Sequence, residues 1–337
     1  MLAAVTGHNS IDALGALWNG SLGSRYAIFS ATLVRATPLI LTGLAVTLAF
    51  TSGVMNIGAE GQLLSGATAA TIVCLAVDGS GWLVIPLSLV AGAVAGAAWA
   101  FVPALLRRRF GVLEVISTIM MNFVALYMVG YLVRGPLQEP LKIYPQSPSI
   151  ATAAQLPIIV PGTRLHLGFV VALACAVALW WALRWTAAGF RIRVIGSNPS
   201  AAQSAGQIDV GRTMMRAFLL SGALAGIAGA IEVTGVTYSL YENLSPGYGY
   251  TAIAVALVGA LDPVFTLFSG ILFGALEAGA SAMQRDAGIP SVLASVVEAS
   301  IILLLLAGAA LRLPVRRWLR LRFWQPGRSS ARFGETS

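Results

Sequence analysis

Five glutamates stand where carboxylates are costly. Glu60, Glu114, Glu232, Glu277 and Glu298 lie inside or at the ends of long apolar runs. An acid within a membrane span is expensive, and it usually faces a cavity or a partner. Glu232, Glu277 and Glu298 therefore read as parts of a polar pathway, a proton relay or paired groups inside a bundle. Glu60 and Glu114 sit nearer the ends of their runs, where a carboxylate can also simply reach the interface. Glu60 belongs to a denser polar block, N-I-G-A-E-G-Q, which adds Asn56 and Gln62. A second Gly-interrupted segment runs from Gly247 to Pro263 and reads G-Y-G-Y-T-A-I-A-V-A-L-V-G-A-L-D-P. Short, broken apolar segments in the two halves of a chain point to a solute pathway. Irregular backbone at membrane depth survives only beside a cavity or inside protein. An ordinary turn fits the same residues around Glu60, with the acid favoured by the dipole of the following helix.

A third polar stretch joins two apolar runs, from Gly196 to Arg212. Asn198 suits a helix cap and Pro199 a first helical position. Ala201, Ala202 and Ala205 give that helix a small-residue face, and Gly206 stops it. A compact helix of this kind is shaped to dock into a groove of another protein, although a plain connecting turn has the same residues.

Other chemistry is missing from the sequence. A P-loop needs Lys after a Gly-rich loop, and the only Lys, Lys142, follows Pro140-Leu141. No G-x-S-x-G, H-E-x-x-H or Cys-pair motif occurs, so no catalytic set is expected. His8 and His166 lie far from Cys74 and Cys175, which leaves no recognisable metal ligand set. Both cysteines sit in apolar runs and read as small hydrophobic residues rather than a disulfide.

The elements that must position these residues are membrane helices. The chain has 337 residues, 57% hydrophobic and only 10% charged. Mean hydropathy is +0.82. Soluble domains carry about 25% charged residues, so a polytopic all-α helix bundle is expected. Nine apolar runs cover 27–50, 61–77, 82–106, 115–133, 166–185, 213–236, 250–261, 264–282 and 292–311. The seventh is too short to span alone and is followed by the helix break Asp262-Pro263. Gly92/Gly96, Gly222/Gly226 and Gly270/Gly274 are small-xxx-small pairs, expected to bring helix backbones close.

Charge sets the expected orientation. Arg107 to Arg109, the 184–216 connection and the C-terminal tail together hold 15 Arg, which marks their side as cytoplasmic. The N-terminus is then outside and the C-terminus inside. The net charge of +8 follows this topology, and a nucleic-acid surface is not expected. The chain divides into an outer N-terminal segment at 1–24, a membrane domain at 25–313 and a basic cytoplasmic tail at 314–337. Within the membrane domain, 134–164 is the long outer loop, with six prolines. Residues 186–212 form the cytoplasmic loop.

Several blocks together resemble a known family. T-L-V-R-A-T-P-L-I-L-T-G-L (Thr32 to Leu44), N-I-G-A-E-G-Q-L-L-S-G-A (Asn56 to Ala67) and F-G-V-L-E-V-I-S-T-I-M-M-N-F (Phe110 to Phe123) are similar to permease subunits of nucleoside-type ABC importers. These belong to the branched-chain amino acid and ribose permease superfamily. The likeness continues through the Gly196–Arg212 loop, Leu220 to Val236 and the 247–263 segment. It implies half of a transmembrane pathway in the plasma (inner) membrane, paired with a second, homologous permease as a heterodimer. It also implies a solute-binding protein outside and a separate cytoplasmic ATPase that binds ATP and Mg, leaving this chain without a cofactor and not an enzyme. On the resemblance, Gly196, Asn198, Ala201, Ala202 and Gly206 map to the ATPase-coupling helix. Asn56, Glu60, Gln62 and Asn122 map to the polar pathway, beside Glu232 and Glu277. A ribose or other sugar permease and a proton-coupled secondary transporter are the alternatives. Family members usually carry a further hydrophobic helix before T-G-H-N-S-I-D-A-L (Thr6 to Leu14), so nine helices are expected here rather than ten.

Overall fold

The computed structural model describes residues 10–204 and 208–288, together with Val296, Ala299 and Ser300. The expected helix over 292–311, with Glu298, and the basic tail otherwise lie outside the described residues, as does Gly206. Val296, Ala299 and Ser300 belong to a separate compact unit, Ser295–Ser337, in which the Ser300 hydroxyl donates to the Val296 carbonyl at 2.7 Å.

The described elements are helical. They are α1 (Ser10–Ser21), α2 (Leu33–Thr51), α3 (Ala59–Ala76), α4 (Gly81–Phe110), α5 (Glu114–Arg134) and α6 (Gly168–Trp185). The short α7 (Ala187–Ser197) and α8 (Pro199–Ser204) follow, then α9 (Val210–Glu232), α10 (Tyr248–Val258) and α11 (Pro263–Ala287). Wider π turns extend α2 backward over Ala27–Thr32 and α9 forward over Val233–Thr237. Seven of these helices are long and apolar enough to cross a membrane, and α10 is a shorter apolar helix. The protein is a multi-pass membrane protein with an all-α bundle, as the apolar runs predict.

Local chemistry explains the helix limits. Asp262 caps α11, accepting from the Val264 N–H at 2.9 Å, with Pro263 at the first position. Asp209 caps α9 by accepting from Arg212 N–H, and Thr186 caps α7 by accepting from Gly189 N–H. α4 runs to Phe110 rather than 106, because Arg107 to Arg109 continue the helix until Gly111 turns left-handed at φ 67°. α10 stops at Val258, short of the expected 261, since Ala260 and Leu261 both take left-handed backbone in the turn to α11.

One helix lies outside the nine apolar runs. Residues 10–21 form helix α1, which packs against α11 through Leu17 and Gly20, opposite Gly279 and Ala282. With Gly15, Asn19 and Gly20 in a short stretch, α1 lacks the long apolar run that marks a membrane helix.

α2 lies at the centre, buried from Ala36 to Ala49 without interruption. A helix that is apolar all round belongs in a core. Close packing around it uses the expected glycine pairs. Gly92 and Gly96 of α4 face Gly222 and Gly226 of α9, and Gly226 also meets Gly66 of α3. A Cβ at Gly226 would overlap the Gly92 carbonyl oxygen. Gly270 and Gly274 of α11 rest on Ile40 and Ala36 of α2. α4, α5 and α6 present Val90, Val94, Ile116, Tyr127, Val177 and Trp181 outward, the exposed apolar faces a bilayer covers.

The long loop between α5 and α6 folds back over the end of α9. Ser147 N–H donates to the Leu240 carbonyl, Ile150 N–H to Tyr238 and Leu156 N–H to Thr234. The Arg134–Glu242 ion pair closes the same region at 2.6 Å.

Gly226→Val should destabilise the bundle by about 1–3 kcal/mol, the cost of forcing extra carbons into a close-packed contact. The lowered thermal midpoint of the detergent-purified protein would register it. Gly15→Ala, where a Cβ meets nothing within 4 Å, should leave that midpoint unchanged.

Candidate functional site: a joint of two helix starts beneath an outer cavity

The two Gly-interrupted segments meet. After α2 the chain turns at Gly53, whose φ is +78°, and runs without helix through residues 54–57 before α3 starts at Ala59. α10 starts at Tyr248 after Gly247 at φ +104°. The two starts touch so closely that a Cβ on Gly249 would overlap the Glu60 backbone nitrogen. Asn122 holds the same point from α5, about 12 Å along that helix from Glu114 at 1.5 Å per residue. The joint is therefore well inside the span.

A helix start leaves N–H groups without intrahelical partners. Side chains supply the acceptors here. Glu60 Oε2 accepts from the Gly249 N–H at 2.7 Å, and the Glu60 carboxylate also meets the Ser245 side chain. Ser245 Oγ in turn accepts from the Gly247 and Tyr248 N–H groups at 3.1 Å. Asn122 Oδ1 accepts from Gly61 N–H, while its Nδ2 donates to the Ile57 carbonyl, both at 2.9 Å. Asn56 Oδ1 accepts from Gly58 N–H at 2.9 Å. Asn56 Nδ2 donates to Gln62 Oε1 and Ser221 Oγ, and Ser221 passes the chain to the Ala45 carbonyl. Asn56, Gln62 and Asn122 are buried, and Glu60 nearly so.

A cavity of about 390 Å³ opens above the joint, on the side of the 134–164 loop. Its wall includes Arg35, Arg164, Glu232, Tyr241, Tyr248 and Arg285. Arg35 Nη1 donates to the Glu277 carbonyl at 3.2 Å, which fixes the guanidinium against α11. Glu232 lies within electrostatic reach of Glu277, Arg164 and Arg35. Beside it, His166 packs on Gly168 and Gly235 with Nδ1 accepting from Gly168 N–H. Burial, aided by Arg164, lowers the His166 imidazole to about 4, so it is neutral at physiological pH.

The opposite end of the joint carries a different set. Arg107 pairs with Glu114 at 2.8 Å, and Glu114 Oε1 accepts from the Met55 N–H. This ties α4, α5 and the α2–α3 break together. Gly196, near the end of α7, packs on the same break, where a Cβ would overlap the Thr51 carbonyl oxygen. Asn198 Oδ1 accepts from Ala201 N–H and caps α8. Ala202 is buried, whereas Ser200, Ala201, Gln203 and Ser204 are exposed. Ala202 therefore anchors α8 to this chain, and the exposed face lies on its neighbours.

The structure thus separates the residues singled out in the sequence. Asn56, Glu60, Gln62 and Asn122 come together as a braced joint. Glu232 faces the outer cavity, with Glu277 beside it. Ser221, Ser245, Tyr248 and Arg164 complete these groups without a sequence signal of their own. Arg35 carried a signal, as a charge inside an apolar run. Among the described residues, no three His, Cys, Asp or Glu converge as a metal-binding group.

Comparisons with known proteins agree with this architecture. The family model for the permease component of branched-chain amino acid transport systems matches residues 28–306. A guanosine ABC transporter permease of Bacillus subtilis is 40% identical over 93% of this chain and 90% of its own length. A glucose ABC transporter permease of Haloferax volcanii is 39% identical, over 88% and 80%. A nucleoside ABC transporter permease of Lactococcus lactis is 33% identical, over 88% and 83%. No solved structure matches significantly.

If the joint is a brace, Glu60→Ala leaves the Gly249 N–H without its acceptor and should cost about 1–3 kcal/mol. A thermal melt of the purified protein should show the loss. Glu60→Gln, which keeps an acceptor oxygen, should recover most of it. Full stability in Glu60→Ala would return this residue to a lining role alone.

Proposed function

The chain belongs to the family of permease components of branched-chain amino acid transport systems, and on that footing we propose that it carries nucleosides inward as one half of an ATP-driven importer. Solute enters the outer cavity beside Glu232 and Glu277, passes the joint, and leaves near the break between α2 and α3. The chain performs no chemistry on the solute. ATP and Mg are bound, and ATP hydrolysed, by a separate cytoplasmic ATPase, in keeping with the lack of a P-loop in this sequence. A second, homologous permease completes the pathway, and an outer solute-binding protein delivers the solute. The protein sits in the plasma membrane with its C-terminus in the cytoplasm, the side that collects the Arg-rich connections.

One contact carries the mechanical part of the reading. Gly196 sits directly on the Thr51–Gly53 turn, so a push on the α7–α8 elbow reaches the α2–α3 break without an intermediary. The exposed Ser200, Ala201, Gln203 and Ser204 offer the ATPase its surface, and buried Ala202 transmits the load. Gly53, with left-handed backbone, is the natural pivot. Motion there switches the joint between outward and inward openings, a two-state element biased by the ATPase.

The substrate class rests on the relatives. The guanosine and nucleoside permeases of Bacillus subtilis and Lactococcus lactis favour a nucleoside. The Haloferax volcanii glucose permease, nearly as similar, supports a sugar as the second reading. Uptake of labelled guanosine and glucose by cells carrying the complete importer would decide between them. Guanosine uptake that outcompetes glucose is expected.

Ala201→Trp should abolish co-purification with the ATPase while leaving the permease's thermal midpoint unchanged. Retained co-purification would remove α8 from the docking surface. Gly196→Ala should keep the ATPase bound but lower uptake, since its Cβ wedges the elbow away from Thr51. Normal uptake would show that the contact transmits nothing.

A further inference from the structure

Glu232 is an unusual lining residue. It is 4% exposed, it faces the outer cavity, and among the described residues no hydrogen bond reaches its carboxylate. It lies within electrostatic reach of the like charge of Glu277 and, more weakly, of Arg164 and Arg35. Nearby charge alone does not satisfy a carboxylate, which has about four lone-pair sites to fill. A carboxylate on a cavity wall with no protein donor bound has acceptor sites open to donors that arrive with the solute.

The rest of the wall narrows the chemistry of those donors. Arg35, Arg164 and Arg285 disfavour a cationic solute. Glu232 disfavours an anion at the point where the donors are needed. A neutral solute with two adjacent hydroxyls fits both demands, because a carboxylate accepts from two neighbouring O–H groups at once. Ring and carbonyl oxygens of the same solute can accept from the guanidinium groups. Tyr241 and Tyr248 supply flat faces for a ring. At about 390 Å³ the cavity is within the usual size range for a small-molecule site.

We propose that the outer cavity is a recognition site for a vicinal diol, with Glu232 accepting both hydroxyls of a neutral ribose or hexose ring. This rests on the importer reading and names the part of the solute that this chain itself inspects. Guanosine and glucose, the solutes named for two relatives, both present such a diol to the site.

The test compares solutes that differ by one hydroxyl, in vesicles holding the complete importer with its binding protein. The readout is the uptake ratio of guanosine to 2′-deoxyguanosine, which lacks the 2′,3′-diol. Any preference of the binding protein is common to wild type and variant, so it cancels between them. Glu232→Gln should cut the ratio about tenfold, mainly by slowing the hydroxylated solute. Glu232→Asp, which keeps the charge but withdraws the oxygens by one methylene, should cut it less. If Glu232→Gln fails to reach the membrane, the Glu232→Asp ratio decides. An unchanged ratio with uptake intact overturns the diol inference and leaves the importer standing. Faster uptake of a nucleoside monophosphate in Glu232→Gln than of guanosine would overturn it in favour of an anion site. Uptake of neither guanosine nor glucose by wild type would overturn the importer reading, and the inference with it.

Discussion

Two helices that begin inside the membrane must find acceptors for their first N–H groups. No water waits there to supply them, and an unsatisfied backbone group in hydrocarbon costs several kcal/mol. The protein answers with side chains from other helices. Asn122 on α5 serves the start of α3, and Glu60 in the first turn of α3 serves the start of α10. Each helix start is thereby capped by an element remote from it in sequence. The rest follows from making these caps reach. Gly249 must lack a side chain so that α10 can meet Glu60, and Ser221 must sit on the face of α9 that opposes Asn56. The glycine pairs of α4 and α9 hold those helices close enough for the network to close.

The apolar runs made the bundle legible to within a few residues at most ends. The small-xxx-small pairs were legible too, because close backbone approach has a local sequence signature. The joint was legible as a location. N-I-G-A-E-G-Q and the Gly247–Pro263 segment are both irregular in an apolar setting. The work done by its polar residues was not legible. Asn56, Glu60, Gln62 and Asn122 resemble pathway residues by type, yet their amides and carboxylate are bound to Ser221, Gly61, Ile57 and Gly249. All four of those partners are remote in sequence, and no periodicity announces them. Ala202 shows the same limit on a smaller scale. Sequence placed it on an Ala face, whereas the tertiary fold turned that one alanine inward and left Ala201 outside.

A division of labour emerges between the braced joint and the cavity above it. Nearly every polar group of the joint has a protein partner, so the joint presents little to a passing solute. Glu232 is the opposite case, a carboxylate facing the cavity with charges near it and no donor bound among the described residues. A fully satisfied network rigidifies, whereas an unfilled one invites a ligand. Glu60 and Glu232 thus have different surroundings on neighbouring helices, although in sequence they are the same kind of residue in the same kind of run.

Rigidity at the joint also decides what kind of motion can open it. The contacts of Gly66, Gly92 and Gly226 are backbone against backbone, and close-packed interfaces of this kind do not deform continuously. α3, α4 and α9 must then move as one body. The start of α10 travels with them, since Glu60 holds Gly249. The α2–α3 break turns at Gly53, which carries left-handed backbone, while Met55, Asn56 and Ile57 are held by Glu114, Ser221 and Asn122. Gly196 rests on one side of that break, and Met55 is held on the other by Glu114, itself paired with Arg107. On the proposed reading, a displacement of the α7–α8 elbow would press on the Gly53 turn between these two contacts.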